Sequence, residues 1–79
     1  MIKQAQKAAT IYWGDHTSVK LIQRDHEDTR DHKEMYQITA GKAVVGYVYC
    51  NRAYSDVYRN RGWGHMARYR ELTAQGNRP

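Results

Sequence analysis

Arginine and aromatic residues alternate through the second half of the chain, and this pattern could bind an anionic partner. The residues concerned are Arg52, Tyr54, Tyr58, Arg59, Arg61, Trp63, Arg68, Tyr69 and Arg70. A guanidinium group binds phosphate or carboxylate through two parallel hydrogen bonds, and it also stacks on aromatic rings. Arginine, tyrosine and tryptophan together are typical of nucleic-acid-binding surfaces and of protein-interface hot spots. We therefore expect these nine residues to form a binding surface.

The net charge of +5 is concentrated in the same half of the chain. Residues 1–40 contain six basic and six acidic residues, so they are neutral. Residues 41–79 contain seven basic and two acidic residues, which accounts for the whole excess (7 − 2 = +5). A basic face of this kind suits an acidic protein, DNA or RNA. The alternative is a solvated basic face that binds nothing.

Tyrosine replaces phenylalanine throughout, with seven Tyr and no Phe among the 79 residues. A purely structural core gives no reason for this preference, whereas a phenol can lie at an interface with its hydroxyl in water. The composition therefore favours a binding surface over a merely solvated face.

No arrangement of residues in the sequence predicts an active site, and we expect neither an enzyme nor a cofactor. The single cysteine, Cys50, follows a β-like run and is expected to be buried rather than nucleophilic. The stretch from Gly62 to His65 lacks the pattern of a phosphate-cradling loop. One enzymatic alternative stays open, a small metal-free ribonuclease-type toxin that would use His65 with Arg61, Arg68 and a tyrosine.

The segment Asp25–Glu34 is the most polar part of the chain and contains the pair Asp-His twice. Carboxylates and imidazoles are metal ligands, but the spacing matches no defined site, so we expect no metal. With five acids and two bases the segment has a charge of −3. It could dock on the arginine cluster of the same molecule or of a second copy, which would make a homodimer.

The sequence predicts a soluble protein that does not enter a membrane. The N-terminus lacks the apolar stretch of a signal peptide. The longest apolar run, Ala43–Cys50, has eight residues and is far shorter than the ~20 that span a bilayer. We therefore expect an intracellular, cytoplasmic location.

A β-hairpin is the clearest element. Met35–Ala40 alternates in polarity, Gly41 and Lys42 form a two-residue loop, and Ala43–Cys50 is rich in strand-forming residues. A further strand is predicted at Thr17–Arg24. Before it, the sequence favours a short helix over residues 2–9 and a short strand at Thr10–Trp13.

Two helices are predicted after the hairpin. Ser55 could cap a short one that runs to about Asn60. His65–Gln75 shows helical spacing, with Met66, Tyr69 and Leu72 on one stripe. The predicted fold is thus a small α+β domain over residues 1–76, in which a C-terminal helix packs on one face of a three- or four-stranded antiparallel sheet. We expect residues 77–79 to be a flexible tail.

In type, the chain resembles small accessory inhibitor proteins of phages and mobile elements, such as anti-CRISPR proteins. The likeness lies in its length below 100 residues, its polarised charge, its many tyrosines and its lack of an active site. It implies a non-enzymatic protein that occludes a nucleic-acid-handling complex of the host, working inside the host cell if phage-encoded. The partner would be a protein or nucleoprotein, and the alternative is direct, non-specific binding of DNA or RNA.

Overall fold

The computed structural model describes residues 1–24, 34–62 and 66–77. These residues form one α-helix followed by five β-strands. The elements are α1 (Ile2–Trp13), β1 (Thr17–Arg24), β2 (Glu34–Ala40), β3 (Ala43–Cys50), β4 (Tyr54–Asn60) and β5 (Met66–Thr73). The strands lie side by side in the order β1-β2-β3-β4-β5, and each neighbouring pair is antiparallel. The sheet is therefore a meander whose two edges are β1 and β5.

The predicted hairpin and the predicted strand before it are confirmed. β2 and β3 pair up to Ala40 and Ala43, with Gly41 and Lys42 as the loop. Gly41 has φ 62°, the left-handed conformation that tight hairpin loops require at their first position. β1 has the bounds that its alternating pattern indicated.

The predicted C-terminal helix is wrong, because residues 66–73 form the edge strand β5. Ala67 lies opposite Arg59, and Leu72 lies opposite Ser55, so both point to the same face of the sheet. In a regular strand two residues five positions apart would point to opposite faces. A β-bulge in which Tyr69 is the extra residue shifts the alternation of side chains by one position, so that Ala67 and Leu72 point to the same face.

The bulge explains why the sequence was misleading. It shifts the apolar positions of β5 away from strict alternation, which gives them a spacing that resembles the stripe of a helix. Strand formation also satisfies backbone groups of β4, which would otherwise lie at the open edge of the sheet. Pairing with β4 thus overrides the local pattern.

Two smaller predictions are also wrong. α1 continues to Trp13, so the expected strand at Thr10–Trp13 does not form; the helix ends at Gly14, which has φ 88°. The region after Ser55 is the strand β4 and not a short helix. Ser55 and Val57 are buried there, since β4 lies inside the sheet between β3 and β5. The sheet therefore has five strands instead of three or four.

The core lies between α1 and one face of the sheet, which we call the helix face. Three alanines of α1, Ala5, Ala8 and Ala9, are fully or almost fully buried, and their small side chains let the helix lie close to the strands. They pack against Tyr36, Ile38, Val48, Cys50, Val57 and Leu72. At the end of α1 the ring of Trp13 lies over Gly46, where a Cβ atom would be only 2.6 Å from Trp13 Cζ2.

Among the residues that the structure describes, no helix has the length and apolar character needed to cross a membrane.

Candidate binding surface

The predicted site residues are divided between the two faces of the sheet. Side chains alternate along a strand, and Val57 points to the helix face, so Arg59 does as well. Tyr54 and Tyr58 point to the opposite face. This opposite face, which we call the tyrosine face, is not covered by any helix of the described residues.

Four of the predicted residues form one cluster, which we call the basic edge: Arg59, Arg61, Tyr69 and Arg70. The guanidinium carbon of Arg59 lies 5.4 Å from the centre of the Tyr69 ring, and that of Arg70 lies 6.0 Å from it. Both distances fall in the range of cation–π interactions. The bulge in β5 brings this about, because it places Tyr69 and Arg70 on the same side of the strand.

The ring of Tyr12 packs against Tyr69 and fixes its position. Tyr12, near the end of α1, contacts Tyr69 edge to face, with 5.3 Å between ring centres and 76° between ring planes. This geometry is one that aromatic pairs prefer. Tyr69 is nevertheless 43% exposed. Its ring is therefore both positioned by the helix and accessible to a ligand.

Among the residues that the structure describes, no acid forms an ion pair with an arginine of the basic edge. Within residues 1–24, 34–62 and 66–77, neither Arg59, Arg61 nor Arg70 takes part in an ion pair. All three side chains are exposed. The basic edge thus offers three guanidinium groups to an anionic ligand.

Arg68, although predicted as part of the same surface, has a different role. Its Nη2 atom lies 2.9 Å from Oδ1 of Asp56 and 2.8 Å from Oε2 of Glu71. Asp56 is completely buried, and Glu71 lies directly opposite it in the β4–β5 pair. Arg68 therefore forms ion pairs with two acidic side chains on the tyrosine face, and these pairs partly neutralise its charge.

A surface pocket of about 250 Å³ lies next to the basic edge. It is lined by Arg59, Arg61, Ala67, Arg68 and Tyr69. The lining combines guanidinium groups with one aromatic ring and one methyl group. Such a lining can hold a ligand that has an anionic part and a flat apolar part.

Tyr54 and Tyr58 belong to a separate aromatic surface, together with Tyr47 and Tyr49. The rings of Tyr49 and Tyr58 meet edge to face with 4.9 Å between their centres. All four tyrosines are partly buried. They flank Asp56 on the tyrosine face, on the same strand and on the neighbouring strand β3. This group therefore shields the buried carboxylate.

The two remaining predicted residues do not join either group. Arg52 is exposed in the turn between β3 and β4, at the opposite end of β4 from Arg59. Trp63 lies outside the described residues, as does His65 of the ribonuclease alternative. The acidic segment is likewise outside the description except for Glu34, which begins β2.

Cys50 is buried and free, as expected for a structural cysteine. Burial raises the pKa of its thiol from 9.0 to about 11, although the nearby Ser55 hydroxyl, 3.4 Å from Sγ, acts in the opposite direction. A protonated, inaccessible thiol is a poor nucleophile. The described residues also contain no group of three His, Cys, Asp or Glu side chains close enough to hold a metal ion.

Sequence reasoning missed two residues that matter for this surface. Tyr12 was assigned to a strand, and its contact with Tyr69 joins the two ends of the chain. Asp56 was counted only as a charge, although it determines where Arg68 points. No local pattern indicates either contact, because each depends on how distant elements or neighbouring strands pair.

In comparisons with known family models, with curated proteins and with solved structures, no match to this chain was found. Its function therefore has to be inferred from its geometry.

Proposed function

We propose that this protein is a non-enzymatic binding protein that occludes a nucleic-acid-handling complex. The basic edge binds the part of the complex that carries DNA or RNA, and the bound domain then blocks the path of the nucleic acid. The observation that carries the proposal is the cluster of Arg59, Arg61 and Arg70 around the exposed ring of Tyr69, without acidic partners among the described residues.

The location of the charge supports binding over mere solubility. Charges that only keep a protein soluble are usually mixed in sign and spread over the surface. Here three arginines that form no ion pair within the described residues lie at one edge, two of them within 6.0 Å of a ring that Tyr12 supports. Arginines and exposed aromatic rings are enriched where proteins bind partners. The charge of the basic edge also raises the rate at which an anionic partner is encountered.

Direct binding of free DNA or RNA is the second candidate. Its support is that Arg59 and Arg70 lie close to the exposed ring of Tyr69, because proteins that bind single strands combine basic and aromatic side chains. The two functions differ in what is bound. The first requires a complex, and the second requires only nucleic acid.

A matched pair of variants tests the proposal. The edge variant carries Arg59→Glu, Arg61→Glu and Arg70→Glu. The control variant carries Lys3→Glu, Lys20→Glu and Arg52→Glu, which are exposed positions at the start of α1, on β1 and in the turn between β3 and β4. Both have the same net charge (+5 − 6 = −1). Any difference between them therefore comes from the location of the charge.

Each protein is immobilised and incubated with native lysate, with and without nuclease, and captured proteins are identified by mass spectrometry. We expect the wild type and the control variant to capture a nucleic-acid-handling complex, and the edge variant to lose it. The purified complex should then bind less nucleic acid as wild-type protein is added. Equal capture by the edge variant, or undiminished nucleic-acid binding by the saturated complex, would contradict the proposal.

A further inference from the structure

We propose that the pocket beside Tyr69 binds one nucleotide of a single-stranded nucleic acid, with the phosphate held by Arg59 and Arg61 and the base stacked on Tyr69. This deepens the proposed function and rests on it, since the same basic edge makes the contact. It also names the ligand of that edge by its chemistry.

The phosphate is assigned to the two arginines that line the pocket and take part in no ion pair within the described residues. Arg59 extends from the end of β4, and Arg61 follows it in the chain, so both lie at the same end of the strand. A guanidinium group binds phosphate oxygens with two parallel hydrogen bonds. Arg68 lines the pocket too, but its Nη2 atom is held by Asp56 and Glu71, so it serves as part of the wall.

The base is assigned to Tyr69, the one ring among the described residues that line the pocket. Because Tyr12 supports this ring, stacking a base on it costs little further ordering of the side chain. Stacking of a base on an aromatic side chain contributes about 1–3 kcal/mol and does not depend on the identity of the base. We therefore expect affinity without strong sequence preference.

A single strand fits better than a duplex. In a duplex the faces of the bases are covered by their neighbours, so an exposed ring such as Tyr69 has nothing to stack on. Groove readout by a helix is also not available at this edge: among the described residues only α1 is helical, and its Ala5, Ala8 and Ala9 lie against the sheet. Recognition at the basic edge thus depends on an unstacked base.

A nucleic acid also fits better than an acidic peptide. Three arginines that form no ion pair within residues 1–24, 34–62 and 66–77 suit phosphates that recur along a strand. For single strands the affinity falls with salt, with a slope of about 0.7 per phosphate neutralised. The phosphate held by Arg59 and Arg61, together with a neighbouring one at Arg70, therefore predicts a slope of about −1.4 on logarithmic axes. Carboxylates of a peptide lack both this regular spacing and a flat ring for Tyr69.

Fluorescence anisotropy with short labelled oligothymidine tests the proposal, with a duplex of the same length and polyglutamate as comparison ligands. The variants are Tyr69→Leu, which removes the ring, Tyr69→Phe, which keeps it, and Arg61→Gln with Arg52→Gln as its control. Circular dichroism verifies that each variant is folded. Arg61 is exposed outside the strands, so its replacement keeps the test valid even if a Tyr69 variant unfolds.

We expect the single strand to bind most tightly, with the predicted salt slope. Tyr69→Leu and Arg61→Gln should weaken binding at least about fivefold, whereas Tyr69→Phe and Arg52→Gln stay close to the wild type. Equally tight binding of the duplex or of polyglutamate would overturn the proposal, and so would wild-type affinity in Tyr69→Leu.

The outcome is separable from that of the proposed function. Suppose that the wild type captures a complex through the basic edge but binds no oligothymidine even at low salt. The nucleotide site is then wrong, while occlusion stands. If oligothymidine binds in a Tyr69-dependent manner but no complex is captured or blocked, the nucleotide site stands and occlusion is wrong.

Discussion

Nη2 of Arg68 lies 2.9 Å from Oδ1 of Asp56, a carboxylate that is completely buried on the tyrosine face of the sheet. The same nitrogen lies 2.8 Å from Oε2 of Glu71, the cross-strand neighbour of Asp56. Like charges directly opposite each other destabilise a sheet. Arg68 thus compensates two acids at once, which separates it functionally from the other arginines of β4 and β5.

Replacing Arg68 with Ala should therefore destabilise the fold. The loss of one partner of a buried ion pair costs about 3–5 kcal/mol, but the Arg68 side chain is 42% exposed and water screens part of the interaction. We expect the free energy of unfolding to fall by about 2–3 kcal/mol in urea denaturation, whereas Arg61→Ala changes it by less than about 0.5 kcal/mol. Equal unfolding midpoints for the two variants would show that the pair does not stabilise the protein.

The arginines of the basic edge can be reversed in sign without loss of the fold, provided that Arg68 is left intact. Arg59→Glu, Arg61→Glu and Arg70→Glu change exposed side chains that form no ion pair with the described residues. Adding Arg68→Glu places a third acid next to Asp56 and Glu71. Thermal unfolding followed by circular dichroism should show a melting temperature close to the wild type for the triple variant and a clearly lower one for the quadruple variant. A quadruple variant as stable as the triple one contradicts the structural role of Arg68.

Gly46→Ala should destabilise the protein because the added methyl group would clash with the backbone of β4 and with α1. The added methyl group would lie 2.6 Å from Trp13 Cζ2 and would also meet the carbonyl oxygen of Tyr58. Overpacking of this kind costs about 1–3 kcal/mol. The loss of stability is measured as the change in the free energy of unfolding. The variant Trp13→Leu tests whether the clash with Trp13 causes part of this loss. Because the smaller side chain relieves part of the clash, the double variant should lose less than the sum of the single variants; simple additivity would exclude Trp13 as the source.

Stability should fall at alkaline pH because of Cys50. Burial raises the pKa of the thiol from 9.0 to about 11. Between these values the unfolded chain releases the proton while the folded protein keeps it, so rising pH favours unfolding. The protonated thiol contributes fully to the free energy of unfolding below pH 9.0. Above that pH its contribution decreases by up to about 1.4 kcal/mol per pH unit until the folded thiol also ionises.

Cys50→Ala is the control for this titration, because tyrosine and lysine ionise in the same range in both proteins. Urea denaturation at several pH values should show a steeper decline for the wild type than for the variant, amounting to about 2–3 kcal/mol in total. Parallel curves would mean that the folded and unfolded thiols ionise alike. The buried thiol should also resist alkylation until the protein unfolds.

Individual strands were predictable wherever the local pattern agrees with the final environment. The hairpin around Gly41 combines alternating polarity with a loop residue that tolerates positive φ, so its bounds follow from the sequence. β5 was not predictable in this way. Its bulge at Tyr69 breaks the alternation of apolar and polar residues, and the resulting spacing of apolar residues is typical of a helix.

The candidate site was predictable in composition but not in arrangement. The nine Arg, Tyr and Trp residues lie close together in the sequence, within residues 52–70. Nothing in their spacing indicates that Tyr54 and Tyr58 face away from Arg59. The division follows from the alternation of side chains along β4, which becomes visible only once β4 is known to be a strand. The same holds for Arg68, whose charge is engaged by Asp56.

By itself, the sequence determined the central hairpin, the first strand and the concentration of positive charge in the second half of the chain, because turn chemistry, alternation and charge are local properties. Only the tertiary structure decided that residues 66–73 form an edge strand, that Tyr12 supports Tyr69, and that Arg68 alone of these four arginines forms ion pairs within the described residues. These features depend on contacts between residues distant in sequence or on adjacent strands. The free energy of such contacts exceeds local preference, which is why no local pattern records them.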